Sequence, residues 1–304
     1  MIPLDLPPRL ILPEKPAIVR ANTLSAPAIL RDLKFPILAM PLHAGYRIKT
    51  PKNFLLKEIL DTVSNTNLRL CLDASDSASQ SLSTNQQWND VSGNGHHFNR
   101  GTTSASNSTD PTFNGTVGAL GAYYSFDGGD YFTAVSSTTF ANAYSQDNAV
   151  FTIIAQIFFT SGSSGSQQRI TGNSTASSGS RGISFQKNGT TNLIEYNCKT
   201  ASAGWTSFLG TAATLNAWNV CIVSVNEAGG ANASHFNING TITAFNANVA
   251  SNAGTANLAI GNAPDASGSA VLLNGSRLSC LGIVDRALSQ SETARIAAYM
   301  AKRF

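Results

Sequence analysis

WNDVSGNGHHF, residues 88–98, sets one tryptophan ahead of a run of turn-formers, two histidines and a phenylalanine. Two structures fit such a run: a metal-binding or catalytic loop, or a tight corner in a β wall. For the corner, Asp90 and Ser92 accept backbone N–H groups in Asx- and Ser-type turns. Gly93 and Gly95 take backbone angles closed to other residues. Trp88 buries its ring, and His97 or Phe98 starts the next strand. For the metal loop, His96 and His97 are the ligands, yet adjacent strand residues point to opposite faces and no third ligand lies near in sequence. Neither HExxH nor a Cys/His zinc spacing occurs anywhere in the chain. The glycines lack the lysine of a phosphate loop. The corner is the expected reading.

The composition agrees. Hydrophobic residues are 42% of the 304 and charged residues 12%, about half the usual charged share. Polarity comes instead from Ser, Thr, Asn and Gly, which suits many short strands joined by turns. The net charge of +3 is unevenly placed: residues 1–66 carry nine Lys/Arg against five Asp/Glu, and the remainder eleven against twelve. A near-neutral body behind a mildly basic leader is not built to hold nucleic acid. The start, MIPLDLPPR, lacks the basic head and unbroken apolar core of a secretory signal. Its apolar runs break well before the ~20 residues of a membrane helix. Synthesis in cytoplasm, with no membrane partner, is expected. Cys71, Cys198, Cys221 and Cys280 have no CxxC spacing and sit in apolar stretches, so they are read as buried thiols.

Proline and glycine divide the chain. Nine of eleven prolines fall in residues 1–51, and twenty-four of twenty-five glycines fall after them. Proline is excluded from helix interiors and central strands, so the leader cannot readily form its own core, yet it is too apolar for a typical disordered tail. Residues 1–50 are therefore expected to be an extended arm. It would bury Leu10, Ile11, Leu12, Ile18, Ile29, Leu30, Phe35, Ile37 and Leu38 on a partner protein or on another copy of the chain; the alternative is a leader that packs back onto its own domain. Within 51–66, Thr50-Pro51 offers an N-cap and first-turn proline, and Phe54 to Val63 follow with helical spacing, predicting a short helix over 51–63 that joins arm to body.

The body, 67–304, reads as β. Leu68, Leu70 and Leu72 alternate; residues 151–159 and 220–225 are β-prone runs; residues 234–245 alternate around Asn239-Gly240, a strong hairpin signal. Closely spaced strands without intervening helices predict a sandwich. One helix closes the chain, where Ser289-Gln-Ser-Glu292 has the capping-box form ahead of Ile296, Ala297 and Met300.

These pieces resemble the concanavalin A-like, or laminin G-like, jelly-roll family. Leu70-Cys-Leu-Asp-Ala-Ser is similar to its opening strand, and Trp88 to Phe98 to its W-x-D-x-S-G-N-G turn. Tyr124-Ser-Phe-Asp-Gly-Gly-Asp-Tyr131 is similar to the next hairpin, residues 151–159 to a long central strand, and Gly282 to Glu292 to the strand entering the closing helix. The resemblance covers about 68–304 and implies an all-β jelly-roll sandwich with an N-terminal arm, a short linker helix and a C-terminal helix. Domains of this kind, joined to a short leader without a signal peptide, resemble structural proteins of tailed-bacteriophage virions. The resemblance also makes Asp127 and Asp130 weak calcium candidates, since the family sometimes holds Ca²⁺ through Asp and backbone oxygens; a plain hairpin turn is the expected alternative, and no cofactor is expected.

Concanavalin A-like glycosidases are the enzymatic alternative. They need two facing carboxylates, roughly 5 Å apart when retaining. The body has three glutamates, Glu195, Glu227 and Glu292, none with another carboxylate within five residues. A Gly-x-Ser-x-Gly elbow in the required setting is also missing. The seven Asn-x-Ser/Thr sequons, including Asn188, Asn239 and Asn274, are read as turn chemistry. The expectation is a non-enzymatic virion protein of decoration or fibre-like type. Its arm would engage other virion proteins of capsid, neck or tail, it would form a homo-oligomer such as a trimer, and its outward loops would carry Trp205 and Tyr144 as aromatic platforms for host-surface glycans.

Overall fold

The computed structural model describes residues 50–63, 67–80, 86–161, 165–175, 181–200, 204–247, 256–265 and 270–304. The arm, including Leu10, Ile11, Leu12, Ile18, Ile29, Leu30, Phe35, Ile37 and Leu38, lies outside them.

Among the described residues the body is two antiparallel eight-stranded sheets. The first contains β1 (Leu68–Asp73), β4 (Thr112–Asn114), β5 (Tyr123–Ser125), β7 (Val150–Phe159), β12 (Ala217–Asn226), β13 (Ser234–Ile238), β14 (Thr241–Phe245) and β16 (Arg277–Val284). Its order is β14-β13-β12-β7-β16-β5-β4, with β1 also paired to β16. The second contains β2 (Gln87–Trp88), β3 (Phe98–Arg100), β6 (Phe132–Ala134), β8 (Gln168–Gly172), β9 (Gly182–Lys187), β10 (Leu193–Thr200), β11 (Gly204–Ala212) and β15 (Ala259–Ile260), in the order β11-β10-β9-β8-β15-β6-β3-β2. This is an all-β sandwich of jelly-roll type.

Period-two alternation builds two cores. On β7, Phe151, Ile153, Ala155, Ile157 and Phe159 point between the sheets and meet Phe185, Ile194 and Tyr196. Ile154 points outward, where Val220, Ile222 and Val284 meet helix α1 (Leu56–Val63) and helix α2 (Gln290–Met300). The helices therefore cover the outer face of the first sheet. The absent side chain of Gly282 lets α1 approach: a Cβ there would sit 3.1 Å from Leu56. Polar side chains of the sheet fix α2 and the segment leading into it, with Gln156 donating to the Met300 carbonyl at 2.9 Å and Ser224 to that of Leu288 at 2.8 Å.

The 88–98 stretch is a corner. Trp88 is fully buried, with ring centroids 4.9 Å from Tyr124 and 5.0 Å from Phe132. Asp90 accepts the backbone N–H groups of Cys71, Ser92 and His96, all within 3.0 Å. His97 Nδ1 accepts the Asp90 N–H at 3.0 Å, and β3 begins at Phe98. The 234–245 hairpin turns through Asn239 (φ 54°) and Gly240 (φ 89°), the positive pair that a two-residue turn requires. The Ser289–Glu292 capping box forms as its sequence pattern implies.

The first helix differs from the sequence expectation. It starts at Leu56, not at Pro51, because Phe54 takes a positive φ of 53° and the Leu56 N–H donates to the buried Asp73 carboxylate at 2.7 Å. A tertiary acceptor replaces the local cap at Thr50. All four cysteines are free and buried: Cys71 and Cys280 lie under the helices, Cys198 and Cys221 between the sheets. Among the described residues no helix is long and apolar enough to cross a membrane.

Candidate functional site

Among the described residues no helix covers the outer face of the second sheet. On β10, Ile194, Tyr196 and Cys198 are buried between the sheets, so alternation turns Glu195 and Asn197 outward. Strand register sets Gln186 of β9 opposite Glu195, and Ser207 of β11 opposite Asn197, with Trp205 two residues along. Together with Gln167, Arg169, Asn188 and Ala270 they line a groove of about 430 Å³.

The groove is polar and pre-set. Glu195 accepts from the Asn188 amide at 2.7 Å, the Gln186 amide at 3.1 Å and the Asn197 amide at 3.3 Å. Arg169 is 3% exposed and donates to the Ser174 carbonyl at 2.5 Å. Burial lowers its guanidinium pKa to about 10, against the opposing pull of Asp265. Trp205 stands at the groove with 41% of its surface exposed. Three side chains that line the groove each carry a buried polar atom with no hydrogen-bond partner among the described residues: Arg169 Nε, Asn197 Oδ1 and Gln167 Oε1. Each such atom costs about 1–3 kcal/mol if nothing meets it. One donor and two acceptors beside an indole face suit a ligand that carries several hydroxyls and a flat apolar side.

The other sequence candidates lie elsewhere. Tyr144 is 4% exposed, stacks on Phe151 at 4.2 Å and donates to Asp285 Oδ1 at 2.5 Å. It borders a separate depression with Arg69 and Phe140, and its ring is held within the core, so it offers no open platform. Asp127 Oδ1 accepts the Gly129 N–H and Asp130 Oδ2 the Asp127 N–H, both at 2.8 Å. Both carboxylates thus stitch the hairpin turn. Burial pushes the Asp130 carboxyl up to about 7, with Asp127 adding repulsion. Among the described residues no group of three or more His, Cys, Asp or Glu is placed to hold a metal.

Sequence reasoning singled out Trp205 but missed Arg169, Gln186 and Asn197, and weighed Glu195 only as a catalytic carboxylate. A signal was present in LIEYNCK (193–199), where Glu195, Asn197 and Lys199 fall on every second position. What the pattern did not reveal was which outer face the helices leave bare.

No protein-family model matches the chain, and no curated protein matches it by sequence. Solved structures do match in fold. The binding domain of botulinum neurotoxin serotype G superposes with a TM-score of 0.54 at 15% identity, covering 78% of this chain and 51% of that one. The binding domain of Paraclostridial Mosquitocidal Protein 1 gives 0.51 at 14%, covering 76% and 52%. The chain thus spans about half the length of these toxin domains. Domain 4 of AbnA, a GH43 extracellular arabinanase from Geobacillus stearothermophilus, solved with arabinotriose, gives 0.51 at 15%, covering 76% of this chain and 98% of that domain. The protein shares with them the jelly-roll-type β-sandwich.

Proposed function

We propose that the protein is a non-enzymatic glycan-binding module, and that the groove on the second sheet receives a neutral oligosaccharide. The observation that carries this reading is the placing of Trp205 in one groove with three side chains whose buried polar atoms have no hydrogen-bond partner among the described residues. Sugar rings combine an apolar face, which stacks on indole, with hydroxyls that donate and accept together. Arg169 and Glu195 offset each other in charge, which favours an uncharged sugar. The arabinotriose in the arabinanase domain is in keeping with a sugar-binding use of this sandwich.

Two features speak against catalysis. Glycoside hydrolysis uses a carboxylate pair, and Glu195 is the one carboxylate lining the groove among the described residues. Its oxygens are already held by three amides.

The setting we propose is a bacteriophage virion, made in the host cytoplasm, in which residues 1–50 anchor the chain to a capsid, neck or tail protein and the sandwich projects as a homo-oligomer. Support for this comes from the resemblance of residues 68–304 and from the proline-studded apolar leader. A glycan array probed with the full chain tests the binding reading. Retention of neutral oligosaccharides, lost in Trp205→Ala, is expected; an array with no hits, or equal signal from the variant, overturns it. Electron microscopy of purified particles, with the chain located in the map, tests the setting.

A further inference from the structure

On the opposite side of the sandwich, α2 leaves a slot of about 390 Å³ against the outer face of the first sheet. Its walls are apolar: Ala294, Ala297, Ala298 and Ala301 of α2, Val220 of β12, and Trp218 stacked on Phe304 with ring centroids 3.8 Å apart. Small side chains on one wall and stacked rings on another leave room for a single flat or compact apolar body. The volume lies in the range of small-molecule sites.

Two polar side chains line the slot, and they differ. Asn239 is engaged at both ends: its Oδ1 accepts the Val220 N–H at 2.8 Å and its amide donates to Asn219 at 2.9 Å. Gln156 is half engaged. It is 1% exposed, and its amide donates to the Met300 carbonyl at 2.9 Å. Its Oε1 is buried with no partner among the described residues. The bond to Met300 fixes which end of the amide is the donor, so the orphan atom is an acceptor. A sugar, with hydroxyls on every side, would leave most of them unpaired against alanine and indole. A molecule with one donor and an otherwise apolar body would not.

We propose that this slot is a second binding site, independent of the sugar groove, for a small apolar molecule bearing one hydrogen-bond donor, of phenol type. Its hydroxyl meets Gln156 Oε1, and its ring lies among the α2 alanines beside the Trp218–Phe304 pair.

The test uses the full chain labelled with ¹³C at its alanine methyls and titrated by NMR with p-cresol and with toluene, which lacks the hydroxyl. Saturable ring-current shifts concentrated at Ala294, Ala297, Ala298 and Ala301 are expected, with p-cresol bound about tenfold more tightly. Gln156→Leu should remove or reverse that preference. Ala298→Leu, at an exposed helix position, fills the slot and should abolish both titrations while methyls elsewhere keep their positions. Absence of saturable shifts at these alanines, or equal affinity for the two probes in the unaltered chain, overturns the proposal. Undiminished binding to Ala298→Leu would overturn it as well.

Discussion

Asp73 shows how much structure one side chain can hold. Its carboxylate receives Arg303 at 2.9 and 2.5 Å, the Leu56 N–H at 2.7 Å and the Ser75 N–H at 2.9 Å. Both charged partners are fully buried. One residue thereby ties β1, the start of α1 and the C-terminal tail. Removing one member of a buried pair leaves the other charge unmet and costs about 3–5 kcal/mol. Asp73→Ala and Arg303→Ala should each lose that much in urea unfolding, and the double variant should lose much less than the sum of the two. Additive losses would show that the pair is not coupled. Trp205 is the contrasting case. It is 41% exposed at the groove, so Trp205→Ala should cost less stability than either substitution of the Asp73–Arg303 pair. Oligosaccharide affinity, measured by calorimetry, should fall about tenfold or more.

At the scale of elements, α2 depends on its first turn. Burial alone would raise the Glu292 pKa, but the Arg286 guanidinium and the Ser289 donors outweigh it and hold the carboxyl down at about 2. A carboxyl depressed in the folded state stabilises above its unfolded value, and that contribution fades as pH falls from about 4.5 through about 2. Glu292→Gln should therefore cost about 1 kcal/mol at pH 7, with the gap to the unaltered chain closing by pH 2. Denaturant unfolding at several pH values reads this directly; a gap that does not change with pH would refute it. The 239–240 turn offers a second check. Gly240 has φ 89°, which disfavours any side chain, so Gly240→Val should destabilise by about 1 kcal/mol or more.

At the scale of the molecule, the body carries two hydrophobic layers of its own, one between the sheets and one beneath the helices. Deletion of residues 1–50 should thus leave the thermal unfolding of the sandwich in place, while abolishing incorporation into particles if the arm is the anchor. A truncated chain that still enters particles would refute the anchoring reading. The division of labour between faces also appears only here: helices on the first sheet create the apolar slot, and among the described residues no helix lies over the polar groove of the second.

Features set by neighbours in sequence were legible from the start. The Trp88–Phe98 corner, the Asn239-Gly240 hairpin, the Ser289 cap and the alternation of 151–159 each arise from side-chain periodicity or from side chains bonding nearby backbone. The start of α1 was misread because its cap is Asp73, seventeen residues away. The groove was only partly legible, since Trp205 invited attention by type while Arg169, Gln186 and Asn197 look like any polar strand residues until register aligns them. By itself, then, the sequence determined the β class, the turns and the capped closing helix, because those are short-range consequences of chemistry along the chain. The tertiary structure alone decided which sheet face the two helices cover, which polar atoms are buried without partners among the described residues, and that Arg303 meets Asp73 across 230 residues, because such pairings are fixed only when remote segments pack.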